Sequence, residues 1–487
     1  MSRKFYITTS IMYTNSSPHI GFAFESIQAD VIARYHRLLD KDTLFLTGTD
    51  EHGTKVAKAA KEAGKRPKEF VDEISKKVMK LKEVLNLSND DFIRTSDRKR
   101  HWPAVRKVWL KLKEAGDIYK KKYQAFYCSG CEAFITKKDL IDGKCAIHQT
   151  KPEIIDEENY FFKLSKYAKK IEEAIEKGEM RIIPETRKNE ILSFIRQGLK
   201  DVSFSRPREK LQWGIPVPDN NNQTIYVWAD ALTNYISALG YYKEKEKFKK
   251  NWPADVHVIG KDILRFHAVI WPGMLLSLKL PLPKTIFVHG FITVNSQKMS
   301  KSLGNVIDPF ELVKRYGTDA VRYFLLREIP PTDDGDFTYE KFEKRYNADL
   351  ASGLGNLVAR VMTMVAKLNP KFERISSKRI LNPNLQRLIT ETQKNYHNAL
   401  NNFKFNDALA SIWDLISFCD EYIEKEKPWE FFKNQKLKIK SQKIISDLFL
   451  ALKEIARILQ PFLPETAGQI FKKIKTKETQ PLFPRIK

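Results

Sequence analysis

The chain has 487 residues, too many for one ordinary hydrophobic core, so its length predicts two to four domains. Its 42% hydrophobic and 30% charged residues are typical of a soluble globular protein. The most apolar stretch, residues 268–278, contains Pro272 and is too short to cross a bilayer, which excludes a membrane span there. The formal charge of +25 suggests a polyanionic partner without identifying it, with a composition bias of the genome as the alternative source of the lysines.

Cysteine placement predicts a metal site and excludes a disulfide framework. Three of the four cysteines lie between positions 128 and 145, where they form a CxxC and CxxH pair with a gap of thirteen residues. Three thiolates and one imidazole complete a closed tetrahedral zinc shell, with no open position for water. The predicted structural ligands are Cys128, Cys131, Cys145 and His148. Coincidental cysteines are the alternative.

The first segment has the pattern of a strand followed by a helix. Residues 5–9 suit a buried strand, and an amphipathic stretch runs from Ser16 to about Leu39. Serine as the cap and Pro18 in the first turn predict where the helix begins. Because free N–H groups and the positive end of the helix dipole collect there, His19 and Gly21 predict a phosphate site. Taken alone, a surface or capping histidine is the alternative.

The same alternation of strand, loop and helix recurs along the chain. Residues 43–47 lead into Gly48 to Gly53 and a helix, and residues 256–259 lead into Gly260-Lys261-Asp262 and a helix. A further strand is predicted at 224–228, followed by a helix from Asp230 to Tyr235. This repetition predicts a parallel α/β sheet with polar groups at the carboxyl ends of its strands.

Two kinds of side chain near these strand ends suggest a small-molecule site. Asp262 could hold ribose hydroxyls, as acidic residues do in other nucleotide-binding folds. Trp228, Tyr235 and His267 could line a small apolar pocket with a polar end. Taken singly, an aromatic residue at helical spacing is more often part of a core.

After Pro309 the pattern is helical. Helices are predicted at 309–316, 319–327, from Tyr339 onward, at 385–425, 429–433 and 444–460, with a loop or hinge at 369–384 and a proline-broken tail. No repeat array is present. The C-terminal part is therefore predicted to be an all-helical domain.

A short basic segment, Lys298-Met299-Ser300-Lys301-Ser302, follows strand-like residues 286–288 and 291–294. Two lysines three residues apart can close over a triphosphate and neutralise the charge that develops as a phosphoryl bond breaks. Taken alone, the same segment suits a solvated basic loop equally well.

In their order, these motifs resemble those of the class I methionyl-tRNA synthetases, in a short bacterial form with one zinc knuckle. The matching segments are His19-Ile20-Gly21, Gly48 to Gly53, Trp213 to Pro218, Tyr226-Val227-Trp228, Gly260 to His267 and the complete KMSKS segment 298–302. The resemblance implies a Rossmann-type α/β catalytic domain with a zinc-bearing insertion, followed by an all-α anticodon-binding helical bundle.

The resemblance also implies a division of the chain. The expected parts are the first half of the catalytic domain at 1–116, the insertion and return segment at 117–223 with its zinc knuckle at 128–148, the second half of the catalytic domain at 224–294, the KMSKS loop and stem-contact region at 295–349, and the anticodon-binding domain at 350–487.

The implied reaction has two steps. The carboxylate of methionine attacks the α-phosphate of ATP, which arrives with Mg²⁺, and expels pyrophosphate; the acyl group then passes to the 3′ end of elongator or initiator methionine tRNA, releasing AMP. The implied catalytic residues are His19, Lys298 and Lys301, since donors and cations are needed where phosphate charge develops. The implied ATP-binding residues are His19, Gly21, Gly260, Asp262, Lys298, Ser300 and Lys301.

The resemblance further implies residues for the amino acid and the tRNA. Asp50 would hold the ammonium of methionine, and the side chain would lie among Ile11, Tyr13, Trp228, Ala231, Leu232, Tyr235, Ile263 and His267. Asn356, Arg360 and Trp429 would read the CAU anticodon, with the tryptophan stacking on an unpaired base.

The sequence departs from the family pattern at three positions. Phe22 occupies the place of the second histidine of the first motif, so one donor to ATP is absent there. Ser10 and Met12 stand where proline or alanine and proline or an aromatic residue are more usual. We expect activity to survive because His19, Lys298 and Lys301 are intact.

Three other functions suit parts of the sequence. A class I synthetase for another apolar amino acid would activate leucine or cysteine instead. A catalytically silent tRNA-binding protein derived from a synthetase would form no adenylate, although Asp50 and the lysine pair argue against it. A DNA-binding zinc finger needs a longer cysteine-to-histidine interval than residues 128–148 provide.

The remaining expectations concern compartment and assembly. No signal peptide precedes the first strand, and the clustered cysteines suit a reducing compartment, so a cytoplasmic enzyme is expected. No oligonucleotide-binding domain follows residues 481–484, so a monomer is expected.

Overall fold

The computed structural model describes residues 4–130, 133–135, 140–146, 149–299, 303–368, 380–430 and 438–486. Its contacts divide the chain into two compact units. The first unit comprises the chain up to Ala29 together with 36–83 and 87–289, and the second comprises 30–35, 84–86 and the chain from Gly290 onward.

The strands of the first unit are numbered in chain order. They are β1 Lys4–Thr9, β2 Met12–Tyr13, β3 Asp42–Asp50, β4 Asp91–Arg94, β5 Ile118–Cys128, β6 Ala133–Ile135, β7 Leu140–Ile141, β8 Lys144–Cys145, β9 Glu153–Phe162, β10 Arg181–Ile183, β11 Val202–Ser203, β12 Ser205–Pro207, β13 Pro216–Val217, β14 Asn220–Ile225, β15 Val256–Gly260 and β16 Thr285–His289.

The helices that begin in the first unit are α1 Ile20–Leu38, α2 Thr54–Glu62, α3 Pro67–Val84, α4 Trp102–Glu114, α5 Ala168–Glu176, α6 Glu185–Arg196, α7 Val227–Leu232, α8 Asn234–Ser237, α9 Lys245–Asn251 and α10 Trp271–Ser277. Short 3₁₀ turns cover Leu164–Tyr167 and Lys261–Ile263, and a π-helical turn covers Phe266–Ile270.

A seven-stranded parallel sheet is the frame of the first unit. Its order is β10-β16-β15-β1-β3-β2, and β4 also pairs with β3. Every pairing in this sheet is parallel, as the alternating strand and helix pattern predicts. The fold class expected from the sequence is confirmed for this unit.

Strands that come between β4 and β15 along the chain form smaller antiparallel sheets. One has the order β11-β9-β5-β6 and another β12-β14-β13, while β7 and β8 form a hairpin. The long pairing of β5 with β9 runs from Ile118 opposite Phe162 to Tyr127 opposite Glu153. Strand β10, within the expected insertion, pairs with β16 and so belongs to the main sheet.

The predicted strand at 224–228 is partly wrong. Strand β14 ends at Ile225, and helix α7 begins at Val227, so Tyr226-Val227-Trp228 turns from strand into helix. The reason is that Asp230, in the first turn of α7, is buried and bonded to two histidines, which fixes this segment as a helix. Trp228 therefore lies on a helix.

The second unit is mainly helical. Its strands β17 Ile292–Val294, β18 Gln297–Lys298 and β19 Gly335–Phe337 form a small sheet. Its helices are α11 Pro309–Tyr316, α12 Thr318–Arg327, α13 Tyr339–Arg345, α14 Asn356–Lys367, α15 Pro383–Asn401, α16 Phe405–Glu426, α17 Lys438–Leu459 and α18 Pro464–Thr476, with a π-helical segment at Tyr346–Gly355.

The predicted proline-broken tail is wrong for residues 464–476. Pro464 opens α18 instead of preventing it, because proline is tolerated in the first turn, where its missing N–H would have no partner. Leu459 starts the turn before α18 by accepting the N–H of Phe462 and Leu463. The predicted loop at 369–384 lies mostly outside the described residues, and α15 begins at Pro383.

Arg322 is fully buried in the second unit, and each nitrogen of its guanidinium has a partner. Nε donates to the Phe462 carbonyl at 2.7 Å, and Nη1 donates to the Leu85 carbonyl at 3.0 Å. Nη2 donates to the Pro461 carbonyl at 2.9 Å and pairs with the Asp30 carboxylate at 2.8 Å. A buried charge is stable only when paired in this way.

None of the helices in the described part of the chain has the length and hydropathy needed to cross a membrane.

Candidate active site and anticodon site

Several predicted site residues of the first unit lie at or just after the carboxyl ends of three adjacent strands. Strand β1 lies between β3 and β15, and the three end at Thr9, Asp50 and Gly260. The chain reaches β3 through α1 but returns to β15 only after a long excursion, so the order reverses beside β1. Ligands of open parallel sheets bind at such a switch point.

His19 caps α1 with its ring. The helix begins at Ile20, later than the predicted start at Ser16 to Pro18, and the Gly21 N–H donates to His19 Nδ1 at 3.1 Å. Since Nδ1 is an acceptor here, the proton of the neutral ring is on Nε2. Burial lowers the pKa of His19, and the nearby Asp262 carboxylate opposes this only in part. His19 is thus a neutral N–H donor at a helix N-terminus.

Gly260 and Asp262 follow one another at the end of β15. A Cβ atom at position 260 would lie 2.8 Å from Asp262 Oδ1, so glycine is what lets this carboxylate fold back over the strand end. Asp262 stands in the 3₁₀ turn, as predicted for an acidic residue after a strand. The Asp262 carboxylate is close enough to His19 to raise its pKa against the effect of burial. The two predicted ATP-binding segments therefore lie near each other.

Asp50 ends β3 with its backbone fixed on both sides. Tyr13 of β2 pairs with it, and the Thr14 N–H and hydroxyl donate to the Asp50 carbonyl at 2.9 Å and 3.0 Å. Upstream, a Cβ at Gly48 would lie 2.1 Å from the Ile93 carbonyl oxygen, so β3 approaches β4 too closely for a side chain.

Glu51 fixes the segment that follows β3 through hydrogen bonds to its side chain. Its buried carboxylate accepts bonds from Thr49 Oγ1 at 2.7 Å, Ser75 Oγ at 2.5 Å and Arg94 Nε at 2.6 Å, and from the Ser96 hydroxyl. So many donors leave Glu51 no capacity for a substrate, although it stands inside the predicted motif.

A buried carboxylate joins two histidines from distant parts of the chain. Asp230 Oδ2 lies 2.7 Å from His52 Nδ1, and Oδ1 lies 2.8 Å from His101 Nε2. Burial raises the pKa of Asp230, but the two imidazoles outweigh this and lower it, so the carboxylate is ionised. Both rings therefore donate to Asp230. His52 Nε2 has no hydrogen-bond partner among the described residues.

Tyr235 and His267 form a second buried pair. His267 Nδ1 donates to the Ile263 carbonyl at 3.0 Å, so its Nε2 is an acceptor, and the Tyr235 hydroxyl donates to it at 2.7 Å. Burial lowers the pKa of His267 to about 4, which keeps the ring neutral. The Tyr235 carbonyl in turn accepts from the Tyr6 hydroxyl at 2.8 Å.

Trp228 lies flat against Phe266, which the sequence did not single out. The ring centroids are 3.7 Å apart and the planes differ by 8°. The Trp228 ring also meets His267 edge-on, with centroids 6.5 Å apart. The only sequence signal for Phe266 was its position beside His267.

The structure brings Trp228, Tyr235, Ile263 and His267 into one contiguous group through these contacts. The other predicted methionine-site residues are near the same core or the same strand end. Ala231 and Leu232 are buried on α7, Ile11 packs against the main core, and Tyr13 lies opposite Asp50.

Ser10 has a structural role that explains its departure from the family pattern. Its hydroxyl donates to Glu25 Oε1 at 2.6 Å, and Glu25 Oε2 lies 2.8 Å from His289 Nε2. These bonds tie the end of β1 to helix α1 and to the end of β16. Proline or alanine at position 10 could not make the first of them.

Phe22 and Met12, the other two residues that differ from the family pattern, lie in one hydrophobic cluster. Phe22 packs against a small core that contains Met12, and the cluster consists of Met12, Ile74 and Val78 with Phe22, Phe70 and Phe92 around it. Phe22 therefore stabilises helix α1 by apolar packing. An imidazole at this position would be polar in an apolar cluster.

We expect Phe22→His to lower the free energy of unfolding by about 1–2 kcal/mol, because it exchanges apolar contact for a partly desolvated polar ring. The methionine-dependent ATP–pyrophosphate exchange rate should not rise by as much as about a hundredfold, the size of one restored donor. Urea unfolding and the exchange assay measure the two effects. Phe70→His, in the same cluster, is the control; a hundredfold gain confined to Phe22→His would show that position 22 still acts on ATP.

Of the KMSKS segment, Ser300, Lys301 and Ser302 lie outside the described residues. Lys298 ends β18 and is exposed, with Nζ 5.6 Å from the centroid of the Phe291 ring. The Asn305 side chain donates to the Lys298 carbonyl at 3.3 Å. Lys298 is thus an exposed cation at the end of a short strand.

The predicted anticodon residues form a surface on the second unit. Trp429 is 39% exposed, and the Arg360 guanidinium lies 5.8 Å from its ring centroid. Arg360 Nη1 pairs with Asp420 Oδ1 at 3.3 Å and Nη2 with Glu424 Oε1 at 2.7 Å. Asn356, one helical turn before Arg360, is also exposed. The arrangement offers an aromatic face beside fixed hydrogen-bond donors.

Asp420 and Glu424 were not predicted from the sequence, although their spacing of four residues on α16 puts them on one helix face. Burial raises the pKa of Asp420 to about 6, with a further increase from Glu424 and an opposing effect from Arg360. The pair of carboxylates fixes the orientation of the guanidinium.

Two of the four predicted zinc ligands, Cys131 and His148, lie outside the described residues. Cys128 ends β5 opposite Ala133 of β6, and Cys145 ends β8 opposite Leu140 of β7. Both cysteines are buried in a small cluster with Ile135. Among the described residues, no three possible metal ligands lie together.

Family models match two parts of this chain. A family model described as "tRNA synthetases class I (M)" matches residues 5–139 and 133–362, and one for the "Anticodon-binding domain of tRNA ligase" matches residues 384–485.

Proteins named methionine–tRNA ligase are similar over nearly the whole chain. The one from Caldanaerobacter subterraneus is 44% identical over 97% of this chain and 74% of its own, and the one from Thermotoga maritima is 44% identical over 98% and 76%. The solved methionyl-tRNA synthetase of Mycobacterium tuberculosis in complex with methionyl-adenylate is 38% identical, with a TM-score of 0.91 over 96% of this chain and 93% of that one.

Proposed function

Because this chain belongs to the methionyl-tRNA synthetases of class I, it is an ATP-dependent ligase that joins methionine to tRNA, and we propose which residues carry out each step. Methionine activation is assigned to the strand ends of the first unit. Anticodon recognition is assigned to the exposed face around Trp429. The observation that carries the first assignment is the neutral His19 donor at the start of α1, beside Asp262.

In the activation step, an oxygen of the methionine carboxylate bonds to the α-phosphorus of ATP and the bond to pyrophosphate breaks. Negative charge develops on the phosphate oxygens. His19 Nε2–H and the positive end of the α1 dipole stabilise that charge without reorganising, while the N–H groups of Gly21, Phe22 and Ala23 already donate to His19. Mg²⁺ arrives with ATP and screens the phosphates.

The remaining ATP contacts are assigned by chemistry. Asp262 accepts from the ribose hydroxyls, and Gly21 and Gly260 allow the backbone to approach the nucleotide. Lys298 and Lys301, with Ser300 between them, neutralise the departing pyrophosphate. No protein nucleophile is required, so positioning and electrostatics supply the rate.

Asp50 is proposed to hold the ammonium of methionine, and its backbone is fixed by β2 and Thr14. The thioether would lie among the stacked Trp228 and Phe266 rings and the Tyr235–His267 pair, which suits a polarizable sulfur. A hydrophobic slot distinguishes poorly between side chains that differ by one methylene, so homocysteine is the expected competitor.

For tRNA, we propose that Trp429 stacks on an unpaired base of the CAU anticodon while Asn356 and Arg360 bond to base edges. Asp420 and Glu424 hold the Arg360 guanidinium in one orientation, which reduces the entropy lost on binding. M. tuberculosis methionyl-tRNA synthetase is solved with methionyl-adenylate, and we propose that this chain makes the same intermediate for its tRNA.

Zinc is proposed as a structural ion. Cys128 and Cys145 stand at the ends of two short antiparallel pairs and are buried, which suits thiolate ligands at two knuckles. Cys131 and His148 would complete the shell. When bound, the ion supplies only cross-linking, since a four-ligand shell has no site for water.

We expect the purified protein to contain one equivalent of zinc, and Cys145→Ser to lose it, because a serine hydroxyl is a poor ligand for this ion. Cys419→Ser, which changes a buried cysteine on α16, is the matched control and should retain zinc. Atomic emission of both variants measures the metal. Zinc well below one equivalent in carefully handled wild type would contradict the assignment.

We also propose a domain division, an oligomeric state and a cellular location. The domain division at residues 116, 223, 294 and 349, a monomeric state and a cytoplasmic location remain those expected from the sequence. Reduced thiolate ligands support the last of these.

The assignment of Trp429 is tested with Trp429→Ala. Loss of one stacked base should lower kcat/KM for charging of methionine tRNA by about 10- to 100-fold, while ATP–pyrophosphate exchange is unchanged. Ile439→Ala, an exposed apolar side chain of the same unit, is the control. If charging and exchange fell equally, the anticodon role of Trp429 would be wrong.

A further inference from the structure

A tight turn joins β17 to β18 and sets the direction of the strand that carries Lys298. Val294 pairs with Gln297, so Asn295 and Ser296 alone form the turn. Their φ angles are 51° and 62°, both in the left-handed region, as the turn type that suits a tight hairpin requires. Asparagine tolerates this conformation, but serine is strained there because its Cβ approaches a backbone carbonyl. A strained residue persists only where contacts around it hold it in place.

Asp336 of the neighbouring strand β19 makes those contacts. Its Oδ1 accepts the Ser296 N–H at 2.7 Å and the Thr293 hydroxyl at 2.7 Å. The Asn295 N–H donates to the carbonyl of Phe337, on the same strand as Asp336, at 3.3 Å. One carboxylate oxygen therefore bridges the strand and the turn of the hairpin.

The Asp336 carboxylate is ionised and acts as an acceptor. Partial burial raises its pKa, but the bonds from Thr293 and Ser296 and the charge of Lys341 outweigh this and lower it. Lys341 Nζ lies 3.7 Å from Oδ2, whereas the turn is held by Oδ1. The ion pair with Lys341 is therefore separate from the contacts to the hairpin.

Asp336, Thr293 and Lys298 form a row across the small sheet of the second unit. Thr293 lies opposite Asp336 of β19 on one side and opposite Lys298 of β18 on the other. Side chains of directly opposite residues project from the same face of a sheet. The bonds of Asp336 therefore act on the residue across from Lys298 and on Ser296, two residues before it.

We propose that Asp336 is a positioning residue for methionine activation, which holds the hairpin so that Lys298 is preorganised for the pyrophosphate; this inference rests on the proposed role of Lys298. Asp336 contacts no substrate and acts through Thr293 and Ser296. A cation that is already in position stabilises developing phosphate charge without the cost of ordering it during the reaction.

Asp336→Ala should lower kcat for ATP–pyrophosphate exchange by about 10- to 100-fold, the effect of a small displacement of one catalytic group, and leave the KM for methionine unchanged. Asp336→Asn retains an oxygen that can accept both bonds, so it should stay within about threefold of the wild type. Lys341→Ala, which removes only an exposed ion pair, is the control and should also stay within about threefold.

A second readout separates positioning from general damage to the fold. Single-turnover transfer of methionine from preformed methionyl-adenylate to tRNA involves no pyrophosphate, so Asp336→Ala should transfer at the wild-type rate. A variant that merely destabilised the second unit would lose both steps, and that result would overturn the proposal.

A double variant tests whether Asp336 acts through Lys298. In the Lys298→Ala background, Asp336→Ala should cost less than about threefold, because two changes that act on one group are not additive. The proposal is overturned if the full loss persists in that background, or if Asp336→Asn is as impaired as Asp336→Ala. If Lys298→Ala is impaired and Asp336→Ala is not, this inference fails and the role of Lys298 stands. If Lys298→Ala exchanges like the wild type, the proposed role of Lys298 fails together with this inference.

Discussion

Replacing His19 with alanine is expected to lower the methionine-dependent ATP–pyrophosphate exchange rate by about 10²–10³, the loss typical of one preorganised donor to a developing oxyanion. The tautomer of the neutral His19 ring is the reason for this loss. Since the Gly21 N–H occupies Nδ1, the ring has its proton on Nε2 and donates it without a prior proton transfer. The KM for methionine should change little, because His19 acts on phosphate.

His19→Asn is the matched variant for this experiment. An asparagine can accept the Gly21 N–H through its carbonyl oxygen and still present an N–H donor, so it should lose less activity than alanine. His19 is not the donor to the phosphate if His19→Ala exchanges at nearly the wild-type rate. This role is also contradicted if asparagine and alanine are equally impaired, since then the cap and donor would not matter.

Asp230→Ala is expected to lower the free energy of unfolding by about 3 kcal/mol. The substitution leaves the N–H groups of His52 and His101 buried without an acceptor, which costs far more than the loss of an exposed ion pair. Because Asp230 stands on α7 between Trp228 and Leu232, the KM for methionine should rise as well. Urea unfolding and the exchange assay measure the two quantities.

The control for this substitution is Asp219→Ala. Asp219 pairs with Lys113 on the surface, where an ion pair contributes about 0–1 kcal/mol, so its removal should hardly affect unfolding. Asp230→Asn keeps one acceptor and should fall between the two alanine variants. A wild-type unfolding midpoint for Asp230→Ala would mean that the two imidazoles find other partners.

Several elements of both units could be predicted because they follow from periodicity and local chemistry. Strand β15 was predicted at 256–259 and runs from Val256 to Gly260, and helix α11 was predicted with both of its ends. Asp308 caps α11 by accepting the Phe310 N–H at 2.7 Å, a signal that stands in the sequence itself. Asp262 likewise follows its strand as predicted.

The parts that could not be predicted depend on contacts between distant residues. Asp230 and His101 are separated by 129 positions, and nothing local in either segment indicates that they bond. The same is true of Glu25 with His289, and of Phe22 with the cluster around Ile74. Periodicity identifies which side chains are buried, but only the assembled sheet determines which of them meet.

Local misreadings had a different cause. Tyr226-Val227-Trp228 is rich in residues that favour strands, and the buried bonds of Asp230 override that preference. Ser16 and Pro18 predicted that α1 begins four residues earlier than it does, since the helix starts at Ile20. The His19 ring accepts the N–H of Gly21, a bond that a serine side chain usually makes at a helix start.

Methionine specificity at the strand-end site is the central claim, and ATP–pyrophosphate exchange with methionine, leucine and cysteine side by side tests it most directly. The same preparation should exchange rapidly with methionine and at background with the other two, and His19→Ala should abolish nearly all of the methionine signal. Exchange driven as well by leucine or cysteine, or the absence of exchange with all three amino acids, would contradict the account.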